Sequence, residues 1–312
     1  MINHYYYIFK LLRPRQWIKN IALFTALVLG GQLFDIEVSM QVVLGFISFC
    51  LLTSSTYIVN DILDLKKDKL HPFKKARPIA SDKISVREAT VIFIIILSLS
   101  LFIAREVGSG FFLISLLYLI LQILYSFVFK AIEIFDIFFI AVGYILRVYA
   151  GEMITGYHLS VWLLLTTISL SMFLAIGKRR SELTLLASYA GVRATQIRQS
   201  LSHYSEPLLA AFLTIFATST FIFYSLFTFL ENPQGVRLDL IFLPDVLPYY
   251  LQRKWLMVTI IPVVYGLMRY LQDIYEKQEG ESPDRVLLSD KSLLASVLIW
   301  GFLVIFIIYF IG

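Results

Sequence analysis

Long apolar runs separated by short charged segments recur from one end of this chain to the other, and they leave little choice of fold. A helix needs roughly 20 mostly apolar residues to cross a hydrocarbon core of about 30 Å. Nine stretches suit that length: 18 to 34, 39 to 59, 88 to 104, 109 to 129, 135 to 155, 160 to 177, 207 to 230, 255 to 272 and 292 to 311. With 58% hydrophobic residues in 312, a water-soluble domain is excluded and lipid is the solvent. Only helices satisfy their backbone polar groups inside runs of this kind. The expected fold is all-α: one membrane domain over 1 to 312, with about nine transmembrane helices in a single bundle.

Charge sets the orientation, because cytoplasmic loops retain Lys and Arg. With the N-terminus inside, 22 of the 27 cations fall on inner segments and only Arg105, Arg237, Arg253 and Lys254 fall outside, leaving Arg147 within the fifth run. The expectation is a multi-pass protein of the cell (inner) membrane, N-terminus cytoplasmic and C-terminus outside. Residues 1 to 17 lack the small residues of a cleavage site and read as an interfacial segment, with Trp17 and the tyrosines at headgroup depth. The lone Cys50 reads as apolar packing, and the outer loop 231 to 254 has room for a short amphipathic segment. No nucleic acid is expected as a partner, and oligomers are compatible with the pattern.

The densest polar information follows the second run, in SSTYIVNDILDLKKDKLHPFKKARPIASDKIS, a cytoplasmic catalytic loop over 60 to 87. Asp61, Asp64 and Asp68 stand at relative positions 0, 3 and 7, which brings them to one helical face. Stacked carboxylates repel, so the arrangement points to a divalent cation. Hard oxygen ligands without a His or Cys cluster favour Mg²⁺, which binds through a few carboxylates plus a substrate's phosphates. A diphosphate is the natural substrate group, with Asn60 alongside. Lys74, Lys75 and Arg77 follow as candidate phosphate partners, and His71 reads equally as a cap or a contact. The competing reading has Lys66, Lys67 and Lys69 neutralising the acids on a solvated helix end.

A second polar stripe runs through YSFVFKAIEIFDIFFIAVGYILRVYAGE. Asp136, Gly143 and Arg147 share a face there, and an arginine three turns inside a membrane helix is a functional candidate, unless it forms an internal salt bridge with Glu152. Tyr125, Lys130 and Asp136 flank the short inner turn; Asp136 is the candidate extra metal ligand and Glu133 its rival. Lys178 and Arg179 meet the cytoplasm in AIGKRRSEL, with Glu182 one turn on. Arg269, Asp273 and Asp284 in the last inner loop are weaker candidates.

NDILDLKKD, Asn60 to Asp68, resembles the NDxxDxxxD motif of the UbiA-type intramembrane prenyltransferases, a family built as a nine-helix bundle. More narrowly, RPRQWIKN, NDxxDxxxDxxHPxKxxRPIA, YSxxxKxxxxxD, YxxRxxxG and GKRxxEL together resemble the decaprenyl-phosphate phosphoribosyltransferase branch, over nearly the whole chain. The resemblance implies an enzyme that moves 5-phosphoribose from phosphoribosyl pyrophosphate to a polyprenyl phosphate. Its product would feed cell-envelope arabinose synthesis.

On that reading Asn60, Asp61, Asp64 and Asp68 hold Mg²⁺ and the diphosphate, and Asp136 is an extra ligand or ribose contact. Lys75, Arg77, Lys130 and Arg147 are candidates for donor phosphates. Arg15, Lys19, Lys178 and Arg179 are candidates for the acceptor phosphate or the ribose 5-phosphate, with Tyr125 beside them. The family's second aspartate-rich motif is reduced here to Asp136, which implies one main Mg²⁺ site within a basic shell. Two other readings stay open: an ordinary prenyltransferase using the same aspartates, and a transporter. Polar residues crowded on one face rather than the midplane disfavour the transporter.

Overall fold

The computed structural model describes residues 2–70, 74–187, 204–231, 255–277 and 283–311. His71, most of the outer loop 231 to 254 and the side chain of Asp284 lie outside them. The described residues are helical, with no strand, and eight of the helical spans are long and apolar enough to cross a membrane. In chain order the elements are α1 (Ile2–Leu12), a 3₁₀ segment (Pro14–Leu23), α2 (Phe24–Leu29), α3 (Ile36–Leu63) and α4 (Leu65–Leu70). Then come α5 (Val86–Val107), α6 (Ser109–Phe127), α7 (Phe135–Thr155), α8 (Val161–Ala187), α9 (Glu206–Leu230), α10 (Ile260–Gln272), α11 (Pro283–Ser289) and α12 (Lys291–Phe306).

Helix starts follow local chemistry. Asp35 accepts from Glu37 and Val38 to begin α3, Ser85 accepts from Glu88 to begin α5, and Asp290 accepts from Leu293 to begin α12, each satisfying amides that a helix N-terminus leaves bare. At the other end of α7, Gly156 takes the left-handed conformation at φ 67°, which a glycine enters without a Cβ clash.

The stretch 18 to 34 departs from the expected long α-helix. Ten residues from Pro14 to Leu23 are 3₁₀ and six from Phe24 to Leu29 are α. At about 2.0 and 1.5 Å per residue this covers about 29 Å, close to a membrane core. The segment runs antiparallel to α3, from Arg13 beside Asp61 at one end to Leu33, whose carbonyl accepts from Ser39, at the other. Three residues per turn explains the choice of helix. Trp17 and Asn20 fall on one line toward α3, where Trp17 donates to Ser54 at 3.0 Å and Asn20 to Cys50 and Thr53 at 3.2 and 3.3 Å.

α3 is the centre of the bundle, with 61% of its apolar window buried against 11% for α5. The two helices are joined by Ser48 and Ser100, each hydroxyl donating to the other's carbonyl at 2.9 Å. Small hydroxyl residues of this kind let membrane helices approach closely. The other flank of the 3₁₀ segment meets α7 at Gly151 and the chain's last turns at Tyr309, whose hydroxyl accepts from the Leu33 amide and donates to backbone carbonyls at Leu27 and Val28. Length then places the polar chemistry. Asp61 is 25 residues beyond Ile36, roughly 38 Å along α3, so the aspartates emerge where a core of about 30 Å has ended.

The close approach at Gly151 is testable. A Cβ there would lie 2.0 Å from the Leu23 carbonyl oxygen, whereas one at Gly301 meets nothing within 4 Å. Gly151→Ala should lower stability by about 3 kcal/mol, the upper end of ordinary overpacking. Gly301→Ala should be neutral or slightly stabilising. Thermal unfolding in detergent compares the two.

Candidate active site

The three aspartates do not stack on one line. At about 100° per residue, positions 0 and 7 come within about 20° of each other while position 3 is offset by about 60°. α3 also ends at Leu63, with Asp64 as its cap. Asp61 and Asp68 are accordingly buried together and share one cation: Arg77 Nη1 lies 2.9 Å from Asp61 Oδ1 and 2.5 Å from Asp68 Oδ2. Arg13 Nη2 also donates to Asp61 Oδ1. Asp64 turns the other way, to Lys130 Nζ at 2.6 Å, which also reaches Asn60 Oδ1 at 3.4 Å. Three carboxylates meet three cations, drawn from the start of the 3₁₀ pass, the loop after α4 and the α6–α7 turn.

Arg13 is the residue the sequence reading missed. It adopts φ 54°, ψ 57°, uncommon for a residue with a Cβ, and this bend between α1 and the 3₁₀ segment turns its guanidinium onto Asp61 and over the Tyr57 ring at 5.0 Å. Burial lowers its pKa, but pairing with Asp61 outweighs that and leaves it above its already high ordinary value. Arg15, expected here, is exposed. In the same way Lys75 is exposed, while Lys74 is the lysine within electrostatic range of Asp68. The expected surface neutralisers play little part: Lys66 and Lys67 are exposed and Lys69 pairs with exposed Asp82 at 3.0 Å.

Asp136 belongs to a second network. It is fully buried, 3.2 Å from Arg179 Nε, and accepts from the Tyr204 hydroxyl at 2.7 Å. Arg179, itself fully buried, also donates to Glu182 and lies 3.5 Å from the Tyr125 hydroxyl. Tyr204 in turn accepts from the Ile134 amide at 2.6 Å, and Ile134 is held at φ 64°. Burial, and then the bond to Asp136, push the Tyr204 hydroxyl up, so it stays a neutral donor. The Asp136 carboxylate, expected as an extra metal ligand, is thus committed to Arg179 and Tyr204. Glu133 is exposed at the same turn, and half-buried Lys178 sits beside Arg179.

Arg147 is buried but does not pair with Glu152, which instead lies 2.9 Å from His158. Its guanidinium donates to Asn20 Oδ1 at 2.8 Å, the Tyr118 hydroxyl at 2.9 Å and the Gly143 carbonyl. Lys19 is held by Gln16 nearby in the 3₁₀ pass. Arg269 pairs with Asp290, the α12 cap, at 2.7 Å and lies 3.9 Å from Asp273.

No three His, Cys, Asp or Glu side chains converge into a ready-made metal cage among the described residues. The donor set fits an open Mg²⁺ site of a different kind. Asp61 Oδ2 is buried with no hydrogen-bond partner, an acceptor that costs free energy until a cation reaches it. Mg²⁺ needs only one or two such carboxylates when phosphates and waters complete its shell.

The architecture is that of a polytopic all-helical membrane bundle with an aspartate and arginine cluster at the end of its central helix. The chain belongs to the UbiA prenyltransferase family, whose profile matches residues 21–296. It is 31% identical to the decaprenyl-phosphate phosphoribosyltransferase of Corynebacterium glutamicum over 96% of this chain and 86% of that one. It is 32% identical to the enzyme of the same name from Mycolicibacterium smegmatis over 93% and 89%. Among solved structures, a UbiA homologue from Archaeoglobus fulgidus bound to GPP and Mg²⁺ superposes with TM-score 0.67 at 24% identity, covering 95% of this chain and 98% of that one. That likeness establishes the shared fold.

Asp68 provides a pH test of the cluster. Burial, and then Asp61, push its carboxyl above the ordinary range, against Arg77 and Lys74. A carboxyl whose folded-state pKa is raised contributes stability that is complete below the unfolded value of about 4 and is lost as pH rises through the folded value. Metal-free protein should therefore lose thermal stability as pH climbs from about 4, and Asp68→Asn should flatten that decline. Identical pH profiles for the two proteins would show that Asp68 ionises freely.

Proposed function

We propose that this chain transfers 5-phosphoribose from phosphoribosyl pyrophosphate to a polyprenyl phosphate at the cytoplasmic face of the cell membrane, releasing pyrophosphate. The observation that carries the reading is the charge-balanced cluster of Asp61, Asp64 and Asp68 with Arg13, Arg77 and Lys130. It lies in a chain about 30% identical, nearly end to end, to decaprenyl-phosphate phosphoribosyltransferases. The charge pattern supports a cytoplasmic N-terminus, which puts the cluster on the side where a water-soluble nucleotide-pathway sugar diphosphate is available.

Asn60, Asp61, Asp64 and Asp68 are the residues that would hold Mg²⁺ with the donor diphosphate. The ion supplies positive charge that stabilises the departing pyrophosphate. The chain's own cations supply the rest. Arg77 and Arg13 sit on the carboxylates that a metal would occupy, and Lys130 sits on Asp64. With a metal on those carboxylates, the three side chains would have charge-assisted donors to give a diphosphate. Departure of pyrophosphate builds positive charge on the ribose ring, so stabilising the leaving group lowers the barrier. The nucleophile is a lipid phosphate oxygen, already anionic at neutral pH, and no general base is needed.

The test uses purified protein, Mg²⁺, phosphoribosyl pyrophosphate labelled in the ribose, and a polyprenyl phosphate. Label should enter the lipid fraction, stop with chelator and resume with added Mg²⁺. Asp61→Ala or Asp64→Ala should each slow transfer by about 10²-fold or more, the scale on which one transition-state charge partner acts. Label entering lipid only from a labelled prenyl diphosphate given an aromatic or glycerol-phosphate acceptor would replace this reading with ordinary prenyl transfer.

A further inference from the structure

The turn that brings Lys130 to the aspartates contains a strained residue. Ile134 is held at φ 64°, ψ −48°, and across it the Phe135 amide donates to the Glu133 carbonyl at 2.7 Å. This is a γ-turn with a positive central φ, the rarer and more strained of the two γ-turn forms. A β-branched residue with positive φ is an outlier, and such a conformation persists only where its surroundings over-determine it. Ile134 is 56% exposed, so its own side chain has little packing to hold it there.

The restraint comes from Tyr204, 70 residues further along the chain. Its hydroxyl accepts from the Ile134 amide at 2.6 Å and donates to Asp136 Oδ1 at 2.7 Å, so one oxygen spans the γ-turn and the first turn of α7. A phenol can do both at once on a rigid arm. Each end of the bridge is anchored. Asp136 is fully buried beside Arg179. The Tyr204 ring is buried with Ile137 of α7, Phe173 of α8 and Leu209 of α9, and the next residue, Ser205, caps α9 through the Leu208 amide.

Lys130 is what this turn controls. The γ-turn joins the 3₁₀ segment Phe129–Ala131 to α7, and Phe129 stacks on Phe139 of α7 with ring centroids 4.2 Å apart. Lys130, between the two, reaches Asp64 Oδ1 at 2.6 Å and Asn60 Oδ1 at 3.4 Å. Relaxation of Ile134 to negative φ would rotate the segment 129 to 133 relative to α7. A shift of about 1 Å carries a bond of this length beyond hydrogen-bond range.

We propose that Tyr204 is a positioning residue for the reaction: its hydroxyl clamps the strained γ-turn at Ile134 and so sets Lys130 against Asn60 and Asp64. The proposal deepens the phosphoribosyl-transfer reading and rests on it for the role of Lys130 toward the donor diphosphate. Both bonds of the Tyr204 hydroxyl go to α7 and its turn, so its effect on the diphosphate passes through Lys130.

Calorimetry on the full chain in detergent measures affinity for pyrophosphate with Mg²⁺, with thermal unfolding of each variant recorded alongside. Tyr204→Phe keeps the ring in its cluster and removes only the bridge. It should weaken pyrophosphate binding roughly three- to tenfold, the scale of one lost hydrogen bond, and Lys130→Gln should weaken it roughly tenfold or more, the scale of one to a charged group. Because Tyr204 acts through Lys130, adding Tyr204→Phe to Lys130→Gln should cost less than about twofold further. Ile134→Gly admits positive φ without a Cβ and should return most of the affinity lost in Tyr204→Phe, which a general loss of packing would not allow. If Tyr204→Phe alone does not fold, its combination with Ile134→Gly carries the test, with affinity near wild type expected and a loss of about tenfold overturning the clamp. Failure of the wild-type chain to bind pyrophosphate, unchanged affinity in either single variant, full additivity of the two, or no recovery with the glycine would also overturn it. The expected pattern in a chain that transfers no labelled ribose leaves the clamp standing and removes the reaction assigned to the site.

Discussion

Carboxylates at the edge of a lipid bilayer lose most of the water that would solvate them, and the aspartate-bearing end of this bundle is organised around restoring that charge balance. Asp61 and Asp68 are 2% and 4% exposed. Leaving either without a partner would cost several kcal/mol, far more than the 0 to 1 kcal/mol typical of a surface pair such as Lys69 with Asp82. The compensating cations come from three places distant in sequence. Arg77 closes the loop after α4 back onto α3, Lys130 ties in the α6–α7 turn, and Arg13 ties in the start of the 3₁₀ pass. Neutralising the acids and assembling the mouth of the bundle are the same event.

The irregular first pass follows from two demands on it. It must bring Arg13 to the aspartates and Asn20 to Arg147, and a three-residue repeat lines up Trp17 and Asn20 toward α3 without a full α-helical circumference. Gly151 gives the backbone room against α7. α1 completes the arrangement from outside, with Leu11 buried among Ile58, Ile79, Ile84 and Ala89 and Lys10 donating to the Ala76 carbonyl at 3.2 Å. The element that carries Arg13 is thereby tied to the loop that carries Arg77. Tyr5, Tyr6 and Phe9 on α1 are exposed.

Two layers with opposite charge logic result. Around the aspartates each carboxylate has a counter-charge. Around Arg147 neutral dipoles and tyrosine rings take the place of a counter-ion.

Much of this was legible in the amino-acid order. The runs from 39 onward correspond to spans in the structure, because hydrophobic length is a property of consecutive residues and lipid enforces it directly. Asp61, Asp64 and Asp68 stood out by spacing, and Arg77 and Lys130 by proximity to a turn. What could not be read was which member of a local pair turns inward. Arg13 rather than Arg15 meets Asp61 because of a left-handed bend at residue 13, and Lys74 rather than Lys75 comes near Asp68 because of the path of the loop. Asp136 reads as a metal ligand in the sequence, whereas in the structure Arg179 and Tyr204, 43 and 68 residues away in the chain, partner its carboxylate. The sequence by itself determined the solvent, the helices and the kinds of charge at each membrane face, since these depend on composition and on periods of a few residues. Only the tertiary structure decided which charges cancel and which remain, because cancellation acts across space between segments whose separation along the chain carries no signal.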